Sequence, residues 1–216
     1  MVTEEFKKIA VSFAGGDGGN PKSEVWFCGL EWGIGDESSP DDFYEKFSLS
    51  PKLIPHSWVE DDFDGSWTTQ YNRKICWFLW YYYNLDWKNG ESAEHFVKKY
   101  DVLYPQGIGF KLNMLPINFK NRSSIKWNEQ FIKITGFETF NEYREWCVEN
   151  RGAFYRQLID ECNPKVIICT GVTEKDNFFK FFTGEAVYET KALKEFNIFY
   201  RCLLYTSPSP RDGLLS

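Results

Sequence analysis

The chain has 216 residues, 43% hydrophobic and 19% aromatic, which is ample for one packed domain, so disorder is not the default. Its formal net charge of −6 argues against a surface broadly coated with nucleic acid. No apolar run approaches the length of a membrane span, and the opening MVTEEFKKIA lacks a secretory apolar region, so a cytoplasmic protein without a membrane partner is expected.

Residues 4 to 13 are weakly amphipathic and suit either a short helix or an edge strand. Gly15 to Pro21 is a glycine-rich turn. It precedes a strand and lacks a following Lys-Ser/Thr pair, which argues against a phosphate-binding loop. The run Val25-Trp26-Phe27-Cys28-Gly29 predicts a buried strand, followed by Leu30-Glu31-Trp32-Gly33. In an open α/β sheet the loop past a strand's carboxyl end is where ligands bind. Two glycines flanking Glu31 would let the backbone approach a ligand closely. The same spacing also fits an ordinary strand-to-loop turn with an exposed glutamate.

Residues 34 to 67 read as a long loop with one short helix near Asp41 to Phe47. From Asp36 to Asp64 nine acids face two lysines, a local charge of −7. So long a loop suits a functional lid or a solvated insertion. Thr68 to Leu85 predicts a helix buried all round, capped by Thr68 or Thr69. Glu91 to Tyr100 predicts another, with Ser92 as cap and His95 on its surface.

Ile108 to Leu112 predicts a second buried strand ending at Asn113, so that Asn113 and Glu31 occupy equivalent places past two strand ends. Lys111, Lys120, Arg122 and Lys126 make the only clearly basic stretch. Phe140 to Cys162 predicts a long helix capped by Asn141. Pro164 to Gly171 holds a third strand, Val172 to Phe182 a helix, and Phe196 to Tyr200 a fourth strand. Strands separated by helices imply a three-layer α/β/α fold around a four-stranded parallel sheet, at 25–29, 108–112, 165–169 and 196–200. The six cysteines include no CxxC pair, and Cys28 and Cys169 sit in apolar runs. All are expected as buried reduced thiols.

Three stretches in order carry a resemblance. GNPKSEVWFCGLEWG resembles the first motif of the uracil-DNA glycosylase superfamily, where a GNPxA turn, an apolar strand and G-x-x-P-G follow one another. FCGLEWG is closest to the FCGINPG of the mismatch-specific branch. LNMLPINFK is similar to the second-strand motif, in which an asparagine ends the strand, and PKVIICTG to the third strand. Trp32 stands where the family has proline. The iron–sulfur branch carries four cysteines, of which only Cys147 has a near counterpart, so no cluster, metal or cofactor is expected.

The family's closing motif, a histidine or asparagine followed by Pro-Ser, belongs shortly after the fourth strand. There, Cys202 to Asp212 (CLLYTSPSPRD) resembles a translated sequencing-library adapter. The expected organisation is therefore a uracil-DNA glycosylase-like domain over 1–201, truncated at its carboxyl end, and a non-native tail over 202–216. Ser207-Pro208-Ser209 within that tail is not counted as the motif.

The resemblance implies base excision from DNA. A flipped nucleotide enters a pocket, and cleavage of the N-glycosidic bond builds positive charge on the sugar. Glu31 falls where active relatives carry an aspartate or asparagine, and would stabilise that charge or orient water. Gly29, Leu30, Trp32 and Gly33 would line the pocket, with Asn113 pairing to the base edge and Phe43 or Tyr44 stacking on the base. The implied partner is DNA carrying a deaminated base, bound by a monomer. The acidic segment from Asp36 to Asp64 would repel a duplex, which keeps a second reading open: a non-catalytic member binding a nucleobase, a nucleotide or a protein.

Overall fold

A computed structural model describes residues 1–16, 18–30, 51–55, 69–88, 91–117, 127–192 and 197–201. The chain is mixed α/β. Helix α1 (Glu4–Ala10) resolves the ambiguity of the first segment, with the Thr3 side chain accepting from the Phe6 amide. The sheet contains β1 (Gly18–Gly19), β2 (Val25–Gly29), β3 (Phe110–Asn113) and β4 (Val166–Cys169), in the order β1-β3-β2-β4. β2 is the inner strand, parallel to β3 on one side and to β4 on the other.

The expected wholly parallel sheet is corrected in its fourth member. β1, read from sequence as a turn, pairs antiparallel with β3. Its glycines permit this: both have positive φ, and a Cβ on Gly19 would come within 2.6 Å of the Gly109 carbonyl oxygen. The segment expected as the fourth parallel strand, β6 (Asn197–Tyr200), instead pairs antiparallel with β5 (Glu189–Ala192) in a separate two-stranded sheet. Strands inside a parallel sheet are covered on both faces and read as continuous apolar runs, whereas FNIFY alternates. A near neighbour in sequence is also the cheaper partner in chain entropy. β5 is exposed throughout, and its sequence ETKA gives no strand pattern.

β3 starts two residues later than the spacing implies. Gly107 N–H donates to the Tyr104 carbonyl, closing a turn, and Gly109 has φ of 85°, so the chain bends through 107–109 before the strand begins.

Alternation along β2 separates two apolar layers. Val25 and Phe27 pack with Ile75, Cys76 and Leu79 of α2 (Gln70–Tyr82) and with Phe96 and Val97 of α3 (Ala93–Lys99). Trp26 and Cys28 face the opposite layer. There they meet α1, α4 (Glu129–Thr135), α5 (Phe140–Trp146), α6 (Gly152–Cys162) and α7 (Lys175–Thr183). Thr69 caps α2 and Ser92 caps α3. α2 is not buried all round: Trp77 is 54% exposed and Tyr81 81% exposed. It is the outer layer on its face, so only the row Asn72, Ile75, Cys76 and Leu79 turns inward.

The expected long helix is present as α5 and α6 joined through a π turn, Cys147–Arg151. Its cap is Thr139, in a capping box with Glu142, rather than Asn141. No helix among the described residues is long and apolar enough to cross a membrane.

Candidate functional site

Because β2, β3 and β4 are parallel, their carboxyl ends share one edge of the sheet. Gly29 is the register partner of Asn113, and Cys28 is the partner of Cys169. The ladder continues past the strands: Met114 N–H donates to the Gly29 carbonyl (3.0 Å), Leu115 N–H to Leu30 (2.8 Å) and Thr170 N–H to Cys28 (3.0 Å). The backbone leaving the strands is thus held in place before any loop chemistry begins.

Asn113 is 2% exposed. Its Nδ2 donates to the Gly15 carbonyl at 3.0 Å, tying the strand end to the glycine-rich turn. A Cβ on Gly29 would lie 2.5 Å from Asn113 Oδ1, so glycine is what makes room for the amide beside β2. Leu30 is half-buried against the layer that holds Cys28. The structure therefore brings Gly29, Leu30 and Asn113 together. Glu31, Trp32, Gly33, Phe43 and Tyr44 lie outside the described residues, as do Lys120, Arg122, Lys126 and the tail over 202–216.

Two side chains that the sequence reading did not assign to the site stand behind this edge. The first is Arg151, which is 0% exposed. Its Nε donates to the Asn113 carbonyl (3.2 Å), Nη1 to Ala10 (2.6 Å) and Ser12 (3.0 Å), and Nη2 to Ala14 (2.7 Å) and the Tyr155 hydroxyl (3.3 Å). A planar fork of donors suits such a fan of carbonyls. Ala10 ends α1, so one of these bonds satisfies a helix-terminal carbonyl that would otherwise be orphaned. The guanidinium also lies 5.0 Å from the Tyr155 ring centroid.

The second is Lys111, only 6% exposed and on the same side of β3 as Asn113. Its Nζ donates to Asn72 Oδ1 at 3.0 Å and lies 4.9 Å from the Tyr71 ring centroid. Burial pulls its pKa down to about 7. The Tyr71 hydroxyl is buried with no hydrogen-bond partner among the described residues, and burial pushes its pKa up. The basic stretch expected from Lys111 onward is corrected at its first member: this amine faces α2, not solvent. A lysine between Phe110 and Leu112, inside an apolar strand, is the signal that marked it in the sequence.

Among the described residues no three histidines, cysteines or carboxylates converge where a metal ion would bind. Compared with known proteins, the chain has no matching family model, no matching curated protein and no matching solved structure.

Proposed function

We propose that the chain is a base-excision enzyme of the uracil-DNA glycosylase type, hydrolysing the N-glycosidic bond of uracil or another deaminated base in DNA. The observation that carries this reading is the register pairing of Gly29 with Asn113 at one edge of the parallel strands. The resemblance derives these two positions from separate motifs, about eighty residues apart by motif order, and a shared pocket requires them to be neighbours. The glycosylase-like fold belongs to the same reading. It draws on the three parallel strands and on helices covering both faces.

In the reaction, a flipped nucleotide enters between the Gly29 and Asn113 strand ends. With one N–H of Asn113 given to Gly15, the other N–H and Oδ1 offer the donor and acceptor that a uracil edge pairs with. Glu31, two residues past Gly29, supplies the carboxylate that stabilises positive charge on the sugar or orients water toward C1′. The carbon–nitrogen bond breaks, the base leaves with the electron pair, and water completes the hydrolysis.

Excision is measured on oligonucleotides carrying uracil or thymine at one position, followed by alkaline cleavage. Because the resemblance implies a closing motif past residue 201, the full gene product is assayed beside this chain. Asn113→Ala should cut the preference for uracil at least about tenfold, since the amide that reads the base edge is gone. An unchanged preference would remove Asn113 from the site.

One observation favours the non-catalytic reading. Lys111 is buried, so it does not contribute to the surface charge that phosphate contacts require. Binding of free uracil or a nucleotide by the full gene product, without release of base from DNA, would select that reading.

A further inference from the structure

Cys28 and Cys169 are the only cysteines that are direct register partners on adjacent strands among the described residues. In-register partners on parallel strands project to the same face. Neighbouring strands lie about 4.8 Å apart, inside the roughly 4.4–6.8 Å Cα separation that a disulfide bridges. The two differ in access: Cys28 is fully buried, whereas Cys169 is exposed at the strand's end. Burial, and next the adjacent Cys169 thiol, push the Cys28 thiol well above its ordinary value. The Cys28 thiol donates to the Gly29 carbonyl at 3.3 Å. The Cys28 carbonyl accepts from both the Thr170 N–H (3.0 Å) and the Thr170 hydroxyl (3.4 Å).

We infer that Cys169 and Cys28 form an oxidisable dithiol, in which exposed Cys169 meets a peroxide and buried Cys28 closes the disulfide across β4 and β2. In the first step the Cys169 sulfur attacks hydrogen peroxide. A sulfur–oxygen bond forms, the oxygen–oxygen bond breaks, and hydroxide leaves and takes the thiol proton as water. In the second, the Cys28 sulfur attacks the Cys169 sulfenic sulfur. The sulfur–sulfur bond forms, the sulfur–oxygen bond breaks, and the departing hydroxyl takes the Cys28 proton as a second water. Two thiols are oxidised and one peroxide is reduced. An exposed thiol beside a resolving partner is the arrangement that redox-responsive cysteines use. The link would fasten β4 to β2 one residue before Gly29, so oxidation acts on the edge that carries the candidate site.

The full chain is treated with hydrogen peroxide, free thiols are alkylated under denaturing conditions, and the digest is read by mass spectrometry. The expected product is an intramolecular peptide pair linking Cys28 to Cys169, lighter by two hydrogens and restored by dithiothreitol. Cys28→Ala should instead leave a Cys169 sulfenic acid that dimedone traps, and Cys169→Ser should leave Cys28 reduced. Because Cys28→Ala removes a fully buried side chain from the core, the wild-type map decides by itself. Cys28 recovered fully alkylated while Cys169 has become sulfinic acid, or Cys169 linked to Cys162, Cys202 or a second chain, would overturn the inference.

Discussion

Lys111 places an amine where the inside of a strand would ordinarily hold an aliphatic side chain. The amine lies beside Asn72 and the Tyr71 ring, and burial brings its pKa down to about 7. In the unfolded chain a lysine titrates near 10.4. Between those two values the unfolded state holds more protons than the native state, so stability rises with pH. Below about pH 7 both states are charged and the group adds no slope. The expected contribution is about 1.4 kcal/mol per pH unit across that window. Urea unfolding between pH 6 and pH 9 measures it, and Lys111→Met should flatten the rise. A wild-type profile with no such rise, or one that Lys111→Met leaves intact, would show that the amine is charged in the fold. Lys111 and Asn113 were visible in the sequence as residues. Their opposite uses were not, because period-two alternation says that two residues share a face but not what waits on it.

Among the elements, the helix from Phe140 to Cys162 shows how a local irregularity serves packing. Tyr143, Cys147, Arg151, Tyr155 and Ile159 are all buried and four residues apart. In a regular α-helix such a row drifts by about 40° at each step. The π turn at Cys147–Arg151 lengthens the local repeat and keeps the row in line. It carries the guanidinium of Arg151 onto the carbonyls of Ala10, Ser12, Ala14 and Asn113. Arg151→Met would leave four buried carbonyls without their donor, and should cost about 3–5 kcal/mol in urea unfolding. Arg151→Lys should recover little of this, since one ammonium cannot span the fan. A loss under about 1 kcal/mol for Arg151→Met would mean that the carbonyls find other donors.

The row of five was legible as a spacing in the sequence, with one arginine among apolar residues, but nothing in it said which carbonyls the arginine would meet. The same limit explains the last strands. Asn197–Tyr200 was legible as a strand, while its partner Glu189–Ala192 was not, because an exposed hairpin strand needs no apolar pattern.

At the scale of the whole molecule, the three parallel strands were readable because each is an apolar run closed by a small or polar residue. Their parallel pairing follows from the helical segments between them. The edge strand Gly18–Gly19 was not readable, since two glycines carry no strand signal and pair only because neighbouring backbone comes close. Charge sets the tension in the functional reading. If the proposed function holds, a chain at −6, with −7 between Asp36 and Asp64, would bind DNA through a local site and not through its overall field. On that reading the chemistry would fall to a few residues, with Glu31 foremost among them in the sequence.

The most direct test is single-turnover release of uracil from a single-stranded oligonucleotide by the full gene product and by its Glu31→Gln variant, with DNA binding measured in parallel. The account predicts release by the wild type, and a rate at least about 10²-fold lower for Glu31→Gln with nearly unchanged binding, because a transition-state charge loses its carboxylate. No release of uracil by the wild type, or a full rate for Glu31→Gln, would contradict it.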